Sequence, residues 1–574
     1  LSGIESKPGG PGATADDAAA PGPSRARLFA ASALVGAATL ILMLATEPRL
    51  AIVWDESYTL GREARLRSWF RALRDPAGFA ATWSPPAIEL VQQQGAFPVS
   101  PDRRDTRGEL LFDPAVLAWF WPFAREEPHG HPPFYALLGL VGDVLTPGRP
   151  DLERGRLGPI LMFSAVAGAL FHFVARRWGW WAAAASAGAW ALHPHLFAHG
   201  HYASYDGPLS CLWLLAIFAF VAGRESNRSA WAGAFGVALG CAMADKLTGW
   251  FIPIPFLVWA AIYRDRWAFR FLALGGLAGL AVAYLLQPPW WAEPISGPWR
   301  FFASNLSRAE TIPIPVQFLG TIYNTPRESL PPYNTIVLTI FATPVGFLAL
   351  GLAGAWRALR RWKVEPILLL FLGHWAFLLL LRAMPKTPGH DGVRLFLPAF
   401  GVLALLAGPG VVQLREWIGR ASRWVVGLGL AEGAVSLAVM MPFPLSYYSP
   451  IVGGLPGATR LGMEPTFYWD ALDPGARAFL RENTPSGRTI RFATFPNSWI
   501  YLRDLGELPR GIAPIDPGAP LWYVVQNRPG TLNPWDRALI AGARPAYTVT
   551  KLGVPLVWVF RYEDLERAMR EGGR

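Results

Sequence analysis

Apolar runs of membrane-crossing length punctuate this chain, and arginines stand at alternate turns between them. The runs are residues 28–46, 157–175, 180–198, 207–223, 229–245, 247–263, 268–287, 335–356, 365–382, 395–414 and 424–441. A helix needs about 20 mostly apolar residues to cross a bilayer, and ~17 suffice. In lipid such runs are helical, because a helix satisfies its own backbone polar groups. A further run, "PPFYALLGLVGDVL" (132–145), is short and contains Asp143; it reads as an interfacial or re-entrant helix. The expected fold class is an α-helical polytopic membrane protein with about eleven transmembrane helices.

The arginines give an orientation. With the N-terminus inside beside Arg25 and Arg27, every second turn is basic: Arg176–Arg177, Arg224/Arg228, Arg264/Arg266/Arg270, Arg357/Arg360/Arg361/Lys363 and Arg415/Arg420/Arg423. This is the positive-inside pattern. Counting 132–145 as a full span would place all the later clusters outside. The net charge of +11 therefore belongs to cytoplasmic anchors, and no nucleic-acid partner is expected. The two cysteines, Cys211 and Cys241, lie inside apolar runs, so neither a disulfide framework nor a paired-cysteine metal site is implied.

Residues 1–24 are Gly, Ala, Pro and Ser with few large apolar side chains, and are expected to be a disordered cytoplasmic tail. The run at 28–46 has no evident cleavage site and reads as a retained first span. The chain opens on Leu, so a start further upstream is expected. The transmembrane domain is placed at 25–441, with large outer loops at 47–156 and 288–334. Residues 442–574 are expected outside as a small α/β domain. Its strands are "RTIRFATF", "LWYVVQN" and "VPLVWVFRY", and its helices "DPGARAFLREN" and "EDLERAMRE".

This topology gathers the unusual polar groups on one face. Asp55–Glu56 follow Trp54 at the outer end of the first span. Solvated interfacial acids are the plain reading; the chemical one is a carboxylate held at the membrane surface to take a proton from an attacking hydroxyl. His131 opens "HPPFY", where a Pro-fixed turn alone would explain the motif. Asp206 precedes Gly207-Pro208 and a span, which suits an N-cap and a catalytic acid equally. "HPHLFAHGH" holds His193, His195, His199 and His201 in no standard metal spacing, so polar lining of a cavity is preferred and metal binding by His199 and His201 is the alternative. Lys246, beside Asp245 at a span end, either forms an internal ion pair or meets a lipid phosphate. Arg394 in "HDGVR" offers a forked guanidinium for the same phosphate, with His390 and Asp391 to orient it.

In their order these stretches resemble the GT-C membrane glycosyltransferases, in particular the protein O-mannosyltransferase and lipid A aminoarabinose transferase group. The carriers are Asp55-Glu56, "HPPFYALL", "HPHLFAHGHYASYD", "DKLTG", "GHDGVRLFLP" and "LSYYSPIVGGLPGATRLGMEPTFYWDAL", spread over most of residues 28–475. The resemblance implies inverting transfer of a sugar from a polyprenyl-phosphate donor to an extracytoplasmic protein, lipid or glycan acceptor, with no cofactor. Asp55 would be the general base, Glu56 would shape the acceptor pocket, and Asp206 would be the second acid. Lys246 and Arg394 would bind the donor phosphate, with His131, His199, His201, His390 and Asp391 around the cavity. Two stretches depart from the group: "HYASYD" lacks the arginine usual before the second acid, and "AMADK" puts an acid directly before the lysine. The composition, rich in Ala, Arg, Gly and Pro, points to a high-GC bacterium, and with the topology above the expected place is its inner membrane, with the site on the extracytoplasmic face.

Three rivals remain on sequence alone. A metal-dependent oligosaccharyltransferase or ligase using lipid-diphosphate glycans would draw on the histidines. A transporter would need ionisable residues near the bilayer centre and internal repeats. A non-catalytic carbohydrate-binding membrane protein would use the aromatic outer segments and leave Asp55 idle.

Overall fold

The computed structural model describes residues 25–78, 112, 117, 120–121, 131–306, 314–323, 328–385, 387–494 and 498–572. The expected tail 1–24 and parts of the two large loops lie outside these residues. Among the described residues six stretches are long and apolar enough to cross a membrane: Arg25–Arg49, Asp151–Trp178, Asp206–Ser226, Arg266–Leu285, Pro366–Ala383 and Pro398–Met440. The last is two helices, Pro398–Ile418 and Ser422–Met440, separated at Gly419 with φ +58°. The chain is thus a multi-span helical membrane protein.

Proline accounts for much of the difference between these six and the eleven apolar runs. The run 180–198 is split into Trp180–Ala191 and Pro194–His201, and 335–356 into Asn334–Ala342 and Val345–Arg361 at Pro344. The run 247–263 becomes a 3₁₀ turn, Leu247–Phe251, followed by Pro253–Ile262. Each proline lacks the N–H that would continue the preceding helix. The segment 229–245 supplies the 13-residue helix Trp231–Met243.

Small residues let the helices approach closely. Gly36 on the first helix faces Gly168 on Asp151–Trp178, where a Cβ on Gly168 would stand 2.6 Å from the Ser32 carbonyl oxygen. Close backbone contact of this kind replaces the hydrophobic drive that lipid removes. The short helix Phe134–Leu145 lies against both Glu56–Arg74 and Asp151–Trp178. Its Asp143 pairs with Arg67 at 2.6 Å.

Beyond Met440 a connecting stretch leads into a four-stranded mixed sheet of β3 (Arg488–Phe492), β4 (Ala519–Gln526), β5 (Tyr547–Lys551) and β6 (Val554–Arg561). A separate hairpin, β1 (Val316–Phe318) with β2 (Thr321–Tyr323), precedes it in the chain. The sheet order is β3-β4-β6-β5, with β3 parallel to β4 and the other pairs antiparallel. Leu539 and Leu565, from helices Pro534–Gly542 and Tyr562–Gly572, pack with Tyr523, Val525 and Phe560 of the sheet. Ile490, Val524 and Val557 instead join the hydrophobic core that continues into the spanning helices. The sheet is therefore seated on the helical part, and this seating brings its loops to the site.

Candidate active site

Asp55 stands at the N-terminal boundary of helix Glu56–Arg74, just beyond the first span, with no capping bond from its side chain. Its Oδ2 accepts three hydrogen bonds: from the Tyr205 hydroxyl, from Arg394 Nη2 at 2.5 Å and from the Tyr468 hydroxyl at 2.6 Å. Oδ1 carries no hydrogen bond among the described residues, and the side chain keeps 18% of its surface exposed. One oxygen is thus anchored and the other remains available to a hydroxyl.

Arg394 is the hub. It stands in a 3₁₀ turn, Arg394–Phe396, that leads into the helix from Pro398. Nε donates to Asp206 Oδ2 at 2.7 Å and Nη1 to Asp391 Oδ2 at 2.8 Å. The guanidinium lies 3.9 Å from the Tyr468 ring centre and 5.2 Å from that of Tyr205. Asp206 Oδ1 accepts from Lys246 Nζ at 2.6 Å. With both oxygens bound to cations and no capping bond, Asp206 organises two positive groups and does not act as an N-cap.

Lys246 and Arg394 also line a cavity of about 170 Å³ together with Arg382, His131, His390 and Tyr205. Leu247, Phe251, Leu378 and Leu381 make its apolar side, and among the described residues no carboxylate lines it. The His131 ring lies tilted against that of Tyr205, with ring centres 3.6 Å apart. Arg382, at the end of helix Pro366–Ala383, is 3% exposed. Its Nε and Nη2 meet no acceptor among the described residues. A buried guanidinium lacking a counter-charge is costly, and Arg382 directs this unmet charge at the same cavity as Lys246 and Arg394.

Other residues singled out by sequence sit differently. Glu56 is fully buried and is not among the residues that line the cavity. It accepts from Arg156 Nε and Nη2, both at 2.7 Å, from Val53 N at 2.9 Å and from Ala203 N at 3.0 Å. With both oxygens saturated, it braces the start of its helix instead of shaping an acceptor pocket. Asp391 lies behind Arg394, and its other oxygen accepts from Arg528 at 2.8 Å. Although burial alone would raise its pKa, Arg528, His390 and Arg394 hold the Asp391 carboxyl below the usual carboxylate range.

His199 lies beside the rings of Tyr202 and Tyr468. His201 turns both ring nitrogens to protein groups, Nδ1 to the Phe197 carbonyl at 2.7 Å and Nε2 to that of Met43 at 3.0 Å. His199 and His201 therefore do not converge as a metal pair. Among the described residues no group of three or more His, Cys, Asp or Glu is placed to hold a metal ion.

Sequence reasoning passed over Tyr205, Tyr468, Arg382 and Arg528. The one signal was Arg382, a lone charge closing "LLLLR"; the remaining three become visible only when distant segments meet.

Residues 130–290 match the profile of the dolichyl-phosphate-mannose-protein mannosyltransferase family. No curated protein sequence matches the chain. Among solved structures, ArnT from Cupriavidus metallidurans bound to undecaprenyl phosphate has the same fold. It aligns with a TM-score of 0.50 and 15% identity, over 93% of this chain and 98% of that one. Its apo state gives a TM-score of 0.47 at 15% identity, over 93% and 97%. The oligosaccharyltransferase AglB from Archaeoglobus fulgidus gives 0.43 at 13% identity, over 87% of this chain and 69% of that one. Over residues 130–290 the chain is thus similar to the dolichyl-phosphate-mannose-protein mannosyltransferases, and as a whole it shares the fold of ArnT.

Proposed function

We propose that this protein transfers a sugar from a polyprenyl-phosphate donor to an acceptor hydroxyl or amine on the extracytoplasmic side, with inversion at the anomeric carbon. The supporting observation is the cavity lined by Lys246, Arg382 and Arg394, with no carboxylate among its described lining residues. It stands beside a carboxylate, Asp55, that has one oxygen anchored and the other open.

In this reading the donor phosphate occupies the cavity, with its lipid chain leaving along the apolar side. Asp55 Oδ1 takes the acceptor's proton as the acceptor attacks the anomeric carbon. The carbon–oxygen bond to phosphate breaks, and its electron pair leaves with the phosphate, which goes from a singly charged diester to a doubly charged monoester. Charge grows on the leaving group in the transition state, where fixed cations act most strongly. Arg382 and Lys246 meet that charge directly. Asp206 keeps Lys246 and Arg394 oriented, and Arg394 joins the phosphate pocket to the base. A site at the end of the spans suits a donor that is itself a lipid.

The test is transfer by membranes containing the wild-type chain, offered labelled polyprenyl-phosphate hexoses and pentoses with and without EDTA. Transfer from a monophosphate donor, unchanged by EDTA, is expected. Transfer only from a lipid-diphosphate glycan, or only with a divalent metal, would replace this reading with an oligosaccharyltransferase.

A further inference from the structure

Three residues other than glycine adopt left-handed backbone conformations around Asp55: Asp391 at φ +58°, Tyr468 at +59° and Trp469 at +55°. Two consecutive bulky aromatics in this region are sterically costly and persist only where their surroundings hold them. Here they are held from both sides. The Trp54 N–H donates to the Tyr468 carbonyl at 3.1 Å, and the Trp54 and Trp469 rings lie 4.4 Å apart. The Tyr468 N–H donates to Asp391 Oδ1 at 3.2 Å, and its hydroxyl reaches Asp55.

The clamp on the far side comes from the C-terminal sheet. Arg528, in the turn that follows β4, is fully buried. Nη1 donates to Asp391 Oδ1, Nε faces Glu464 at 3.5 Å, and the guanidinium lies 4.1 Å from the Trp469 ring centre. Neighbouring bonds tie the two segments together. The Thr466 hydroxyl donates to the Asn527 carbonyl at 2.7 Å, and the Gly530 N–H donates to Glu464 at 3.2 Å.

We propose that Arg528 is a positioning residue for the Asp55 base. It fixes Asp391, and through Asp391 both Arg394 and Tyr468, two of the three groups that anchor Asp55 Oδ2. The C-terminal sheet thereby contributes to the geometry of transfer while touching none of the reacting atoms. An arginine that only fastened the sheet to the helices would not require a strained aromatic pair ending on Asp55. Lysine in its place keeps the charge but not the fork that faces Asp391 and Glu464 together.

This inference rests on the proposed role of Asp55, so the experiment has two arms using the full chain. In the first, the structure of Arg528→Lys is solved in detergent or nanodiscs. The Tyr468 hydroxyl and Arg394 Nη2 are expected to leave hydrogen-bond reach of Asp55 Oδ2; an unchanged anchor overturns the proposal, whatever the substrate. In the second, kcat and donor KM are measured for the same variant. The expected kcat falls about 10- to 100-fold, as small misplacements of a reacting group allow, while donor KM stays within about threefold. Wild-type kcat, or a KM rising in step with the loss, overturns it. Should Arg528→Lys not fold, Arg528→Met combined with Glu464→Gln removes one charge of each sign and is read in the same way. Failure of the wild type to transfer from any polyprenyl-phosphate donor would instead remove the base role of Asp55, while the first arm still decides whether Arg528 sets the shell.

Discussion

Two adjacent acids, Asp55 and Glu56, have opposite surroundings: Glu56 has both oxygens bound, whereas Asp55, the proposed base, has one oxygen anchored. Glu56 meets Arg156, which is itself buried and also donates to Glu47 at 2.9 Å and to the carbonyls of Leu50 and Ala51. That cluster closes on itself and ties the end of the first span to helix Asp151–Trp178. The cluster at Asp55 is also rich in charge, but its cations Lys246 and Arg394 open, with Arg382, on a cavity, and Asp55 Oδ1 carries no bond among the described residues. Charge density alone does not mark a site. Unspent hydrogen-bonding capacity beside a cationic cavity is what sets Asp55 apart from Glu56 and carries the proposed role.

This contrast can be broken by substitution, beginning with the largest effect. Asp55→Asn should lower steady-state turnover by about 10³-fold, within the range of general-base catalysis, with the amount of folded protein unchanged. Arg382→Ala should weaken donor affinity by about 10- to 100-fold, as expected for the loss of charge-assisted bonds. Equilibrium binding of a fluorescent polyprenyl phosphate would show it, and unaltered affinity would remove Arg382 from the phosphate site. Glu56→Gln should reverse the pattern. It leaves Arg156 undercompensated and costs about 3–5 kcal/mol of stability, seen as a lower melting temperature. Turnover per folded molecule should stay near that of the wild type; a turnover loss matching that of Asp55→Asn would erase the distinction.

The smallest effect concerns the join between the sheet and the helices. Burial pushes the Glu464 and Asp470 carboxyls up to about 7. Because the folded chain binds these protons more tightly than the unfolded one, their contribution is full at acid pH and fades as pH rises through about 7. The melting temperature should therefore fall by a few degrees between pH 6 and pH 8, and Asp470→Asn should flatten part of that slope.

How far the molecule was legible depended on sequence distance. Asp55, His131, Asp206, Lys246, His390 and Arg394 each stand at the boundary of an apolar run, where a charge or an imidazole is conspicuous, and the structure brings them into one neighbourhood. Glu56 was equally conspicuous, but its partner Arg156 lies 100 residues away, so nothing local separated it from Asp55. Tyr468 reaches Asp55 across 413 residues, and Arg528 acts through Asp391 across 137. Hydrophobic periodicity carries no information about such pairs. The mixed sheet was visible in three strand-like segments, while β5, "YTVTK", was too polar to stand out. The apolar runs set the helical class, but proline breaks at Pro194 and Pro344 divided runs that composition alone had joined.

Single-turnover transfer from a labelled polyprenyl-phosphate sugar, with donor binding followed in the same preparation, tests the central claim most directly. Asp55→Asn should bind the donor with near wild-type affinity and transfer almost none of it. Transfer at the wild-type rate by that variant, with donor bound, would contradict Asp55 as the base and the reading built on it.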